Sequence, residues 1–475
     1  MKVNTFLLMI LFSSNVFTQI VSIPDAIFKN KLTHGYPNNH GYDTNQDGEI
    51  DIGEAALITS LNLSNSTIQD VTGIRNFTNI TNLNLDNCKV SSLDVHDLIH
   101  LKTISCVYNY NLLTRVNVSG CAALETLNCN TNPVAELTLT SAIALKKLDF
   151  HYNALPILDL SGLVNLESID FSYGKLATVT LTNHPYLKTI NFYKNYTLQN
   201  LNLTTAFNLE FANLTSCGLI DLKVQNLSHL ITLYCDNNHL LGLDLTGLSN
   251  IERLYCNNNS ISSLNVKQCP SLKELYCSNN KIISIDASNL GLNFVRLNCQ
   301  KNELTSLNVK NTNLYDLDCS DNYLTSLDLS WINNLQYFYG SNNRLTHIDI
   351  THNNSQQLTF KLENNPDLFF ICADSYRKNA FDAYFSAHQM PNVQVDSNCN
   401  FKPTFYPNPV INFINIKAIQ DIRSLKIFDM KGQLLHVSGA NKNTIDFDFS
   451  SYATGNYILE VETEYGVTSL KMVKK

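Results

Sequence analysis

Apolar residues recur along this chain in a pattern that restarts at a fixed interval. In LITLYCDNNHLLGLDLTGLSN (residues 230–250) positions one, four and six are apolar, and a second apolar set follows at Leu240, Leu243 and Leu245. The phrase returns as IERLYCNNN at 251–259 and as LKELYCSNN at 272–280. Apolar residues at four and six with polar neighbours have the period of a strand that buries one face. The second set returns the chain. One unit of this length cannot bury its own apolar face, whereas a stack of units can.

Aligned on L-x-x-L-x-C-x-x-N-x-L-x-x-L-x-L, units begin at Ile58, Ile80, Leu101, Leu124, Leu145, Leu166, Leu187, Leu209, Leu230, Ile251, Leu272, Phe294, Leu314 and Leu335. Position nine is asparagine in Asn109, Asn132, Asn153, Asn195, Asn238, Asn259, Asn280, Asn302, Asn322 and Asn343. An asparagine that ends a strand can satisfy the turn's backbone with its own amide, and stacked copies form a ladder. Position six holds Cys106, Cys129, Cys235, Cys256, Cys277, Cys299 and Cys319, and elsewhere Leu63, Leu85, Phe150, Phe171, Phe192 or Leu214. Cysteine that exchanges with leucine and phenylalanine is a small buried hydrophobe. Strands about 4.8 Å apart put such β-carbons about 1 Å beyond easy disulfide reach, so this row is expected to stay unbridged. It also offers no tetrahedral cage for a metal.

The fixed 21-residue period resembles the leucine-rich-repeat family, in its short bacterial class, over roughly 300 residues. The family's pattern also allows cysteine at the asparagine position, as in Cys88 and Cys217. The resemblance implies a mainly β fold: a solenoid of about 14 units (residues 58–356) with a parallel sheet on its concave face. Positions three, five and seven would point outward there. Position five is small and polar in the first eight units, from Asn62 to Asn213. It then becomes Tyr234, Tyr255 and Tyr276, with Arg253, Glu274 and Arg296 at position three of neighbouring units. Tyr193 and Phe211 extend this patch on one side, Tyr337 and Tyr339 on the other. Tyrosine and arginine are enriched in binding hot spots, although tyrosine ladders also reinforce sheets. A glycan would suit stacked aromatics; a protein would suit the charges.

With 44% hydrophobic and 16% charged residues, the chain is one that folds. Its net charge of −8 and lack of a basic run argue against nucleic acid or an anionic membrane as partner. Lys2, the apolar FLLMILF (6–12) and the polar SSNVFTQ read as a signal peptide over 1–18, with no transmembrane segment expected. Residues 19–57 are expected to cap the solenoid. Within them DTNQDGEIDIGE (43–54) fits a twelve-residue EF-hand loop for one structural Ca2+. Asp43, Asn45 and Asp47 would supply side-chain oxygens, Glu49 its carbonyl, Asp51 a ninth-position ligand and Glu54 a bidentate carboxylate. The alternative is an acidic turn without metal. The preceding IPDAIFKNKLTHGYP resembles the opening of bacterial surface leucine-rich-repeat proteins. A cap over 357–400 is expected at the other end, with a helix at 375–389 flanked by Cys372 and Cys399 as a disulfide.

From residue 401 the pattern changes to short alternating strands with a turn at Lys431-Gly432, as in a small β-sandwich. YPNPV, LKIFDMKGQLL, DFSSYATGNYILEV and the terminal KMVKK resemble the type A sorting domain of the type IX secretion system. That resemblance implies a Bacteroidetes-like source, handling by the secretion machinery, removal of the domain, and release or attachment to surface lipopolysaccharide. Catalytic motifs such as GxSxG and HExxH are missing, and Asp149 and Asp170 would sit on a flat face without a cleft. The expected function is therefore an exported surface or secreted binding protein, without enzymatic activity. An enzyme or accessory protein acting on extracellular polysaccharide is the alternative.

Overall fold

The computed structural model describes residues 19–34, 41–288, 290–390, 393–397, 403–463 and 466–475. The expected signal peptide lies outside them. The chain divides into two compact units, Met1–Ile261 and Ser262–Lys475.

In the first unit every repeat contributes a three-residue parallel strand, from Ser60–Asn62 to Arg253–Tyr255, at positions three to five. Equivalent residues pair in register, so Leu61 meets Leu83 and Leu233 meets Leu254. Each of these leucines is buried. The strands are short because position eight takes left-handed backbone in every turn: Asn65, Asn87, Tyr108, Thr131, Tyr152, Tyr173, Lys194, Ser216, Asn237 and Asn258 have φ between 51° and 62°. A residue with positive φ cannot continue a strand.

The asparagine ladder forms as expected. Asn132 Nδ2 donates to the carbonyls of Cys129 (3.0 Å) and Cys106 (2.8 Å), while its Oδ1 accepts from Asn109 N (2.8 Å). Asn153 repeats this with Phe150, Cys129 and Val134. Where cysteine replaces asparagine the thiol takes over the donation: Cys88 Sγ reaches Leu63 O at 3.2 Å and Cys217 Sγ reaches Phe192 O at 3.0 Å. Gly174 is the one glycine at this position. A Cβ there would lie 2.6 Å from Asn195 Oδ1, so the glycine leaves room for the next amide.

The position-six cysteines are buried, and Cys235, Cys277, Cys299 and Cys319 are free thiols. Burial pushes the Cys277 thiol up to about 12, which keeps it protonated. Cys106 and Cys129 correct the expectation for this row, because they form a disulfide. Their Cα atoms are 4.8 Å apart, inside the range that disulfides span. Neighbouring turns are thus close enough; the expectation assumed β-carbons held strictly parallel.

In the second unit parallel strands follow at Glu274–Tyr276, Arg296–Asn298, Asp316–Asp318 and Tyr337–Tyr339. One more, Thr359–Lys361, pairs with Tyr337–Tyr339. The repeat therefore runs one turn past residue 356, into the region expected to be cap. Gln357 at position one conceals this turn, although Phe360, Leu362 and Asn365 hold positions four, six and nine. Asn365 joins the ladder through the carbonyls of Leu362 and Gly340. A 3-10 turn (Ser375–Arg377) and a helix (Lys378–Ala387) then cover the end, with Phe360 packed against Phe381 at 4.4 Å. Cys372 is disulfide-bonded; Cys399 lies outside the described residues.

The C-terminal segment forms five antiparallel strands: Thr404–Tyr406, Phe413–Asp429, Leu434–Asp448, Gly455–Thr463 and Gly466–Lys474. The second is long and irregular. Register shifts between Lys417 and Ser424 divide it: both halves pair with Leu434–Asp448, while on the other edge the first meets Thr404–Tyr406 and the second Gly455–Thr463, around one core of Ile414, Ile416, Leu425, Ile427, Phe449, Leu459 and Val461. The expected turn is present, with Gly432 at φ 84° and Asp429 accepting from Lys431 N and Gln433 N.

Candidate binding surfaces

Position five has a structural duty in most turns. Its asparagine or aspartate accepts the N–H two residues on, as Asn128 does from Asn130 (3.1 Å) and Asp170 from Ser172 (2.8 Å). Such Asx turns end a strand with a local side-chain bond. Tyrosine cannot make this bond. Beside Tyr255 the N–H of Asn257 is satisfied instead by Asp236 of the preceding turn, at 2.9 Å. Burial raises the carboxyl of Asp236. Tyr255 thus displaces a structural interaction that a neighbouring residue restores, as Asp86 does for Val107 N beside Ser105.

In the first unit Tyr234 and Tyr255 stack at 4.4 Å with an interplanar angle of 11°, and Phe211 meets Tyr234 at 5.9 Å. These rings are half-buried. Arg253, at 4.0 Å from Glu252, flanks them. Tyr193 falls in another group: it packs edge-on against Tyr173 at 5.1 Å.

In the second unit Arg296 bonds to Glu274 at 3.1 Å. It lines a depression of about 130 Å³ together with Tyr276, Asn298, Asp316, Asp318 and Tyr339. Burial raises the carboxyls of Asp316 and Asp318, the nearby Arg296 charge opposing it at Asp316. Lys361 stands 5.9 Å from the Tyr339 ring. The aspartates had no signal in the repeat beyond being polar at positions three and five.

The acidic loop is held by its own amides. Asp43 accepts from Gly48 N (2.9 Å) and Asp47 N (3.2 Å), Asn45 from Asp47 N, and Asp47 from Glu49 N. Glu49 is paired with Lys29 at 2.7 Å. Asp51 caps the helix Ile52–Leu57 in a capping box with Glu54. Glu54 Oε1 also accepts from Thr44 N and Asn45 N. The donor set is hard oxygen, as calcium needs, but among the described residues no three carboxylates of the loop converge on one point. Glu54 would have to leave its amide partners to close a calcium cage.

Residues 55–195 match the leucine-rich-repeat domain of the endo-β-N-acetylglucosaminidase EndoS, and residues 249–290 match a two-copy leucine-rich-repeat family. The array is a leucine-rich-repeat solenoid. Residues 404–475 match the secretion system C-terminal sorting domain, so the chain carries the address for type IX export to the cell surface or beyond. Among solved structures, the functional domain of InlJ from Listeria monocytogenes, described as including a cysteine ladder, is 21% identical with a TM-score of 0.49. The match covers 96% of this chain and 98% of that one. An internalin (inlF) from Listeria monocytogenes is 15% identical at TM-score 0.38, over 80% and 96% of the two chains. YopM from Yersinia pestis is 22% identical at 0.39, over 61% and 76%. No curated protein matches the chain. Among the described residues no helix is long and apolar enough to cross a membrane.

Proposed function

We propose that this is an exported recognition protein that binds an extracellular protein ligand through the outward rows of its repeat sheet. The observation that carries this reading is the replacement of the position-five Asx turn by Tyr234 and Tyr255, stacked at 4.4 Å and half exposed. Rings that reinforced the sheet alone would not need to displace a bond that Asp236 then has to restore. The charges beside the aromatic rows, Arg253 in one unit and Arg296, Asp316 and Asp318 in the other, suit a protein surface of mixed charge.

A second reading, a glycan-binding accessory to a polysaccharide-degrading enzyme, is supported by the match of residues 55–195 to the repeat domain of an endoglycosidase. Protein and glycan arrays probed with the mature chain separate the two. Binding to protein spots that Tyr255→Ala abolishes and Asn128→Ala preserves supports recognition by the tyrosine row. Binding that survives both changes removes that row from the site. Calcium in the Asp43–Glu54 loop remains a proposal, supported by the spacing of its oxygen donors.

A further inference from the structure

Position eight is left-handed in every turn, and in seven turns it is asparagine: Asn65, Asn87, Asn237, Asn258, Asn279, Asn342 and Asn364. Asparagine tolerates this backbone, and here neighbouring copies bond to each other, as Asn87 does to Asn65 (2.9 Å) and Asn258 to Asn237 (3.0 Å). Three turns break this rule with a large aromatic side chain: Tyr108 (φ 51°) and, in two consecutive turns, Tyr152 and Tyr173. Tyr152 has φ 57° and Tyr173 has φ 55°. A tyrosine in left-handed backbone is crowded at its Cβ, and these two rings also stay in water, 52% and 39% exposed. The fold does not require them. Strained, exposed aromatics on a rigid scaffold point to a ligand.

The surroundings give that ligand its chemistry. Tyr152 and Tyr173 stack at 4.4 Å, and Tyr193 meets Tyr173 edge-on at 5.1 Å. The Lys194 ammonium lies 4.9 Å from the Tyr173 ring and 5.1 Å from the Tyr193 ring. Among the described residues Lys194 forms no ion pair. The platform therefore offers flat rings, phenolic hydroxyls and one uncompensated positive charge. A pyranose ring has a face of C–H groups to lie on aromatic rings and hydroxyls to bond with phenols. A carboxylate or sulfate on that sugar would meet the ammonium.

We propose that Tyr152, Tyr173, Tyr193 and Lys194 form a second binding surface, for an acidic saccharide. It is separate from the Tyr234–Tyr255 row, and does not rest on the reading given for that row.

The test uses the mature chain and five probes: a galacturonate oligomer, hyaluronan, chondroitin sulfate, a neutral galactose oligomer and polyglutamate. At least one acidic saccharide should bind tenfold or more tightly than both the galactose oligomer and polyglutamate. Lys194→Gln should remove most of that tenfold preference. Tyr173→Asn should abolish saccharide binding with the melting temperature unchanged or raised, because asparagine accepts left-handed backbone more readily. Tyr255→Ala should leave saccharide binding as it was, which separates this surface from the other. Failure of all three acidic saccharides to bind overturns the proposal. So does equal binding of polyglutamate, which would mean charge alone, or full binding by Tyr173→Asn.

Discussion

Inside most turns, positions four, six and nine vary little: a buried aliphatic residue, a buried cysteine, leucine or phenylalanine, and an asparagine. On the outside, positions five, seven and eight change from one turn to the next. The difference separates two kinds of constraint. An interior residue contacts its own copy in the turns above and below, so any departure is felt twice. A surface residue is free unless it has a local duty, and the Asx turn at position five and the left-handed backbone at position eight are such duties. Where a tyrosine overrides a duty, the reason we propose lies outside the fold.

The sharpest way to break this division is in the interior. Asn132→Ala orphans the N–H of Asn109 and removes one of the two amide donors to each of the carbonyls of Cys129 and Cys106, which keep Asn153 and Asn109. It should cost about 2 kcal/mol in urea denaturation, since one buried unsatisfied group costs about 1–3 kcal/mol and the two carbonyls keep a donor each. A loss below about 1 kcal/mol would mean that the ladder does not hold the turns together. Ligand binding below the transition should be unaffected.

On the surface the order should reverse. Tyr255→Ala should weaken the protein ligand by about 2 kcal/mol in calorimetry, as a central hot spot does. Its stability should fall by only about 0.2–1 kcal/mol. Lost stability with full affinity would return the tyrosine row to sheet reinforcement.

The cap stands between these cases. Glu54→Ala removes the capping box and the acceptor for Thr44 N and Asn45 N, and should cost about 1 kcal/mol. If the loop binds calcium in the range of about 10⁻⁴–10⁻³ M, millimolar ion should raise the melting temperature of the parent and not of the variant. An unchanged melting curve for the parent on chelation would leave the loop as a self-capped turn.

The smallest effect concerns His184, which is fully buried with Nε2 at 3.1 Å from Leu160 O and Nδ1 without a partner. Burial lowers its proton affinity below the ordinary value of 6.5, against the opposing bond to Leu160. The unfolded chain therefore takes up the proton first, so stability is full above that value and declines as pH falls toward the lowered one. Urea midpoints between pH 7.5 and 5.5 should fall for the parent and stay flatter for His184→Leu.

Much of the interior was legible because it repeats. The units, the buried faces, the ladder of Asn132 and its copies, and the covering helix at Lys378–Ala387 follow from period and residue type. The turn at Thr359–Lys361 was hidden by a single polar residue, Gln357, at the position used to find the others. The left-handed position eight was marked by its recurrent asparagine, yet an asparagine there reads as a polar surface residue until φ is known.

The amino-acid sequence by itself determined the stack and its export signal. A 21-residue apolar period has only one way to bury itself, and the secretion-domain motifs lie in local order along residues 404–475. Only the tertiary structure decided which side chains meet. The partnering of Asp236 with Asn257, the disulfide of Cys106 with Cys129, and the placing of Lys194 over Tyr173 and Tyr193 depend on rotamers and backbone angles set by neighbouring turns. Those contacts lie between turns or in the bend after a strand, where one-dimensional spacing brings residues near but does not fix the direction in which a side chain leaves the backbone.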